Sequence, residues 1–202
     1  MVNSHKMRDS VKQRTVKDAI LDATDDLLTR FGYRKMTIDD LAREVGIGKG
    51  TVYLYFPSKE EIALSHVDRI IERLKARLWE IAGSTIAPEQ KIKKMLIERV
   101  MYRFDAVQHY TMSLNEMMAQ IRPSLLERRK RYFEEEAVAF ASVLSQGQVF
   151  VGDAETTASL LLIATNSLLP YSLSTNELGS RAEIEAKTSN LAELLLQGII
   201  KR

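Results

Sequence analysis

TIDDLAREVGIGKGTVYLYFPSKEE, residues 37–61, decides how this chain folds. Thr37 is a helix-capping residue, and Asp40 stands three positions on, where its carboxylate can answer the cap. Ile38, Leu41, Ala42 and Val45 then fall at i, i+3, i+4 and i+7, so a helix of about two turns has a complete inward face. Gly46 supplies the left-handed backbone that a sharp interhelix turn needs, and Ile47 returns an apolar anchor. A second short helix follows from about Lys49 to Tyr55 and stops at Pro57. Two short helices across a glycine turn predict a helix-turn-helix.

The second helix has the composition of one that docks on DNA. Lys49 supplies charge, Gly50 keeps no side chain between its backbone and a partner, and Thr51, Tyr53 and Tyr55 can reach phosphates or base edges; Val52 and Phe56 turn to the core. A purely structural helical hairpin would use the same turn, and either tyrosine could be an ordinary core aromatic. A nucleotide-binding reading of Gly46-Ile-Gly-Lys-Gly-Thr51 fails on detail. That motif needs Gly-Lys followed directly by Ser or Thr after a buried strand, whereas Gly50 intervenes here and a polar-faced helix precedes.

Working outward, apolar residues recur at helical spacing almost everywhere, which predicts an all-α chain of about nine helices with no strand required. The first carries Val16, Ile20, Ala23, Leu27 and Phe31 on one face and ends at Gly32. A longer helix starts after Pro57, with Ser58 and Glu61 at capping-box spacing, and runs inward through Val67, Ile71, Leu74, Leu78 and Ile81 to Gly83. Pro88 opens another, to about His109, and a shorter one follows. The Arg122-Pro123 pair is read as a break before a helix from about Ser124 to Gln146. Asp153 caps a helix through Leu169, and the last runs from about Arg181 to Ile200. This divides the chain into residues 1–60, a basic arm and helix-turn-helix head, and residues 61–202, joined to it by the long helix.

The net charge of +2 lies entirely at the front: residues 1–60 hold eleven Lys or Arg against nine Asp or Glu, and the rest hold eighteen of each. Lys6, Arg8, Lys12, Arg14 and Lys17 face only Asp9, a basic arm suited to phosphate or to simple solubility. The absence of cysteine removes disulfide and thiolate-metal chemistry and fits a reducing cytoplasm. The polar start and the lack of any run of eighteen apolar residues argue against export and membrane insertion.

At this point the stretch resembles the DNA-binding signature of the tetracycline-repressor (TetR) family. The residues that carry the likeness are Phe31-Gly32-Tyr33, Thr37, Leu41-Ala42, Gly46-Ile47, Lys49 to Phe56 and Ser58 to Ile62, within about residues 14–65. The family commonly has Ser or Thr where Gly48 stands; glycine caps nearly as well but removes a hydroxyl that could touch phosphate. The resemblance implies that Thr37 and Lys59 meet the DNA backbone and that Lys49, Gly50, Thr51, Tyr53 and Tyr55 face the groove. It also implies a sensor body in which a ligand moves the long helix and spreads paired heads.

One recognition helix spans only a few base pairs, so a two-fold dimer on a near-palindromic double-stranded operator is expected. Leu160, Leu161, Ile163, Leu191, Leu195 and Ile199 are the candidate interface, although the same residues would serve a monomer core. Trp79, Met101, Phe104, Tyr110, Met117, Met118, Tyr132 and Phe140 suit either core packing or an adaptable pocket for a small apolar or aromatic effector. No cofactor, metal site or catalytic group is predicted. His5, His66 and His109 are scattered, and Glu134-Glu135-Glu136 reads as a solvated helix face.

Overall fold

The computed structural model describes the backbone of residues 2–146, 149–169 and 179–201, and their side chains apart from those of 2–14 and 110–113. Eight α-helices occur among the described residues: α1 (Val2–Lys35), α2 (Ile38–Val45), α3 (Lys49–Tyr55), α4 (Lys59–Ala82), α5 (Pro88–Val107), α6 (Thr111–Leu144), α7 (Ala154–Thr165) and α8 (Arg181–Ile199). Short 3-10 turns at Gln108–Tyr110 and Asn166–Leu168 follow α5 and α7. The only strand-like feature described is an isolated antiparallel bridge between Phe150 and Ile200. There Val151 N–H donates to the Ile199 carbonyl at 2.8 Å and Lys201 N–H to that of Val149 at 2.9 Å.

Two sequence expectations need correction. The break expected at Arg122-Pro123 is absent, because α6 runs unbroken through Pro123, so two expected helices are one. Proline removes one N–H and presses on the carbonyl four residues back. Here Ala119 and Pro123 are both exposed, so the orphaned carbonyl is within reach of water. The basic arm is helical in backbone from Val2. Phe31 does not share the buried face of α1: it is half exposed with the Arg30 guanidinium 5.3 Å from its ring centre, and Leu28 is buried instead. Gly32, at φ 75°, breaks the helical path at the next residue.

The chain forms two compact units, residues 1–68 with 112–121, and 69–111 with 122–202. Both α4 and α6 therefore belong to both. In the first unit α2 packs on α1 and α3 on α2, burying Ile20, Leu27, Leu41, Val52, Phe56 and Ile62. In the second, α5 packs on α7 and α8, around a core that includes Leu74, Leu78, Ile92, Met95, Phe140, Val143, Leu162 and Leu196. Helix ends are closed by their own side chains: Asp153 accepts from Thr156 N–H at 2.8 Å, and Ser180 and Glu183 form a reciprocal capping box. No described helix is long and apolar enough to cross a membrane.

Candidate nucleic-acid interface

The α2–turn–α3 unit is built as its residues dictate. Asp40 N–H donates to the Thr37 hydroxyl at 3.1 Å, and the Thr37 hydroxyl and N–H donate to the Asp40 carboxylate at 2.6 and 3.2 Å. The Thr37 hydroxyl hydrogen bond, the largest influence, holds the Asp40 carboxyl below its usual range. Gly46 closes α2 in the left-handed region at φ 74°, and Ile47 N–H reaches back to the Ala42 carbonyl at 2.9 Å. Arg30 of α1 pairs with Glu44 of α2 at 2.7 Å, an exposed link of small energetic weight.

Helix α3 buries Val52, and Phe56 at its C-terminal cap is buried as well, under the Lys17 ammonium 5.5 Å from its ring centre. Its other sides remain open. Gly48, Lys49, Gly50 and Tyr53 are exposed, Thr51 and Tyr55 half-buried, and Leu54 is 84% exposed. Leu54 and Asp39 are members of this surface that sequence reasoning missed. Asp39 could have been found from register, since α2 turns it towards the start of α3: its carboxylate accepts from Lys49 at 2.8 Å. That hydrogen bond raises the Lys49 pKa, and a phosphate approaching Lys49 competes with Asp39 for the same ammonium.

Gly50 is the most informative position. A Cβ built on it meets nothing within 4 Å, and it lies inside α3, where glycine costs about 0.5–1 kcal/mol relative to alanine. Neither backbone conformation nor internal packing demands glycine there, and the position is open to close approach from outside the chain. Gly50→Ala is expected to raise the stability of this unit by about 0.5–1 kcal/mol while weakening binding to DNA. Urea unfolding beside duplex titration checks both signs, and unchanged binding contradicts the close-approach argument.

The two residues assigned to phosphate by resemblance are already engaged. Thr37 spends its hydroxyl and N–H on Asp40. Lys59 donates to the Arg34 carbonyl at 3.3 Å, over the Tyr33 ring at 4.4 Å, and burial lowers its pKa. Lys59 thus closes the C-terminal end of α1, where a cation is favoured.

In the second unit Met101, Phe104, Tyr132 and Phe140 are buried and Trp79 is half exposed. Met117 is buried and Met118 half-buried in the first unit, and the side chain of Tyr110 lies outside those described. Of the interface candidates, Leu160 on α7 is 60% and Ile163 57% exposed, and Leu191, Leu195 and Ile199 are half-buried. Leu161 requires correction: it is buried within the core of its own chain, because it shares the inward face of Ala158, Leu162 and Thr165 at i, i+3, i+4 and i+7 spacing. Leu194 on α8, not singled out from the sequence, is 67% exposed. Among the described residues no group of three or more His, Asp or Glu could hold a metal ion.

A tight helix-turn-helix with an open second helix, in a chain whose described residues are mainly helical, defines the helix-turn-helix class. Residues 20–65 match the model of the bacterial regulatory proteins of the tetR family. The HTH-type transcriptional regulator EthR of Mycolicibacterium smegmatis is 36% identical over 80 residues, covering 40% of this chain and 37% of that protein. The matched segment spans less than half of the curated relatives. Beyond it the likeness is one of fold. A transcriptional regulator from Cytophaga hutchinsonii superposes with a TM-score of 0.74 at 20% identity, over 91% of this chain and 98% of that one. The regulator FadR from Bacillus subtilis, solved with stearoyl-CoA, gives 0.64 at 18%, over 89% and 97%. Residues 20–65 thus carry the DNA-binding segment of the tetR family, and the rest of the chain shares the fold of the solved regulators.

Proposed function

We propose that this protein is a ligand-responsive transcriptional regulator rather than an enzyme, a homodimeric repressor that leaves a near-palindromic operator when a small, largely apolar effector binds. The observation that carries the reading is α3: a helix with one buried edge, an unforced glycine, and an exposed face of lysine, tyrosine and leucine. Lys49, Gly50, Thr51, Tyr53 and Tyr55 are its groove-facing set, Gly48 opens the helix, and Thr37 and Lys59 approach phosphates only after giving up their present partners. We keep residues 1–60 as the functional head and 61–202 as the sensing and dimerising part. Helix α4 runs through both compact units, so a ligand that favours one placement of α4 shifts the population of heads fit to bind. FadR, with its stearoyl-CoA, offers an example of this fold holding a small molecule. Exposed Leu160, Ile163 and Leu194 are the apolar surface that a second copy would cover.

Phosphate contacts set register and base contacts read sequence. Thr51→Ala is therefore expected to weaken binding to the duplex upstream of the protein's own gene by about 1–3 kcal/mol and to leave a scrambled duplex nearly unaffected. Titration of both duplexes checks this, and equal losses on the two contradict it.

A further inference from the structure

The second unit buries three charged side chains together. Arg99 and Arg103 lie one turn apart on α5, and Glu136 faces them from α6, all at most 4% exposed. Glu136 gives one oxygen to each guanidinium: Arg99 Nε donates to Oε2 at 2.7 Å, and Arg103 Nη2 to Oε1. Arg99 is further held by the Thr165 hydroxyl at 2.8 Å, the Asn166 side-chain oxygen at 2.8 Å and the Leu162 carbonyl at 3.3 Å. Arg103 is served differently. Its Nη1 donates to the Arg99 carbonyl at 2.9 Å, and its Nε–H has no acceptor.

A buried guanidinium N–H without an acceptor carries a desolvation penalty, and half a carboxylate does not neutralise the charge behind it. Water supplies an oxygen but no charge. Tyr132, Glu136 and Phe140 follow at i, i+4 and i+8 on α6, so two buried aromatic residues bracket the glutamate along that face. One uncompensated positive charge with an open Nε–H matches a monoanion, whose single charge it balances.

We propose that Arg103 is the anchor of an anion site inside the second unit, and that the effector is an amphipathic monocarboxylate whose carboxylate meets Arg103 Nε–H and whose apolar body lies along the aromatic face. The assignment deepens the sensor reading above and rests on it for its consequence at DNA, while the binding event can be measured alone.

The test uses the full-length protein with acetate, decanoate, palmitate and phenylacetate, each beside its primary alcohol, in thermal melts and calorimetric titrations. At least one of the longer acids should raise the melting midpoint and bind at least tenfold more tightly than its alcohol. Arg103→Gln should weaken that acid about 10- to 100-fold, the worth of a hydrogen bond between charged groups, without changing alcohol binding; Arg103→Lys should recover part of the loss. Arg103→Gln leaves Arg99 and Glu136 as a neutral pair, and the acid-alcohol comparison in the unaltered protein decides the matter even if that variant folds poorly. Acids and alcohols that act alike, an acid that binds Arg103→Gln undiminished, or chloride alone reproducing the whole stabilisation would each overturn the assignment. An acid that binds through Arg103 but leaves DNA affinity unchanged would support the site and refute instead its role as the effector site.

Discussion

Glu136→Ala lowers the stability of the second unit by about 3–5 kcal/mol, the usual consequence of deleting one partner from a buried ion pair. The expected loss is large because the glutamate serves two guanidiniums, and its removal strands both Arg99 and Arg103 in the interior. Burial pushes its carboxyl upward, but Arg103 and then Arg99 outweigh burial and hold it below the ordinary value of 4.5. A carboxyl whose folded value is depressed contributes stability that is fully present above its unfolded value and lost as pH falls through the folded one. The unaltered protein should therefore lose this contribution only below about pH 4, and Glu136→Gln should lack that acid step. Thermal melts from pH 7 to pH 3 check both; a variant as stable as the parent at pH 7 contradicts the described network.

Ile163→Glu combined with Leu194→Glu should convert a dimer into a folded monomer. Both side chains are more than half exposed in the single chain, so the carboxylates meet water in the monomer and cost its core little. In a dimer they would be enclosed on the apolar contact, where an unpaired charge is strongly unfavourable. Loss of the second head removes the effective concentration that pairing supplies, and affinity for a two-site duplex should fall about 10²–10⁴-fold. Sedimentation and duplex titration on the same samples check this. An unaltered protein that sediments as a monomer at micromolar concentration contradicts the arrangement.

How far the fold could be read from the sequence depended on whether local chemistry or tertiary packing governed each feature. Thr37, Asp40, Gly46 and Pro57 act through their own backbone or the adjacent turn, so the helix-turn-helix was legible to the residue. Asp153 is comparable. Pro123 was misread because a proline's effect depends on whether water reaches the carbonyl it orphans, and exposure is a tertiary fact. Phe31 was assigned to a face by spacing alone, yet on a helix with apolar residues on several sides, neighbours decide which one turns inward. Glu134-Glu135-Glu136 shows the same limit: Glu134 is solvated, Glu135 pairs with Lys75 at 2.6 Å, and Glu136 is buried. Three consecutive helical residues sweep about 200°, so one of them could turn inward, and only the arginines of α5 disclose which. The pairing of Lys49 with Asp39, by contrast, was open to a reading of register across the turn and was missed.

Selection of random duplexes by the purified protein, repeated with Thr51→Ala, shows whether α3 reads base sequence. The parent should enrich a two-fold-symmetric sequence with half-sites about one helical turn apart, and Thr51→Ala should change or blur the bases preferred within each half-site. Failure of the parent to enrich any sequence, or an identical preference from the variant, would contradict the assignment of α3 as the reading helix.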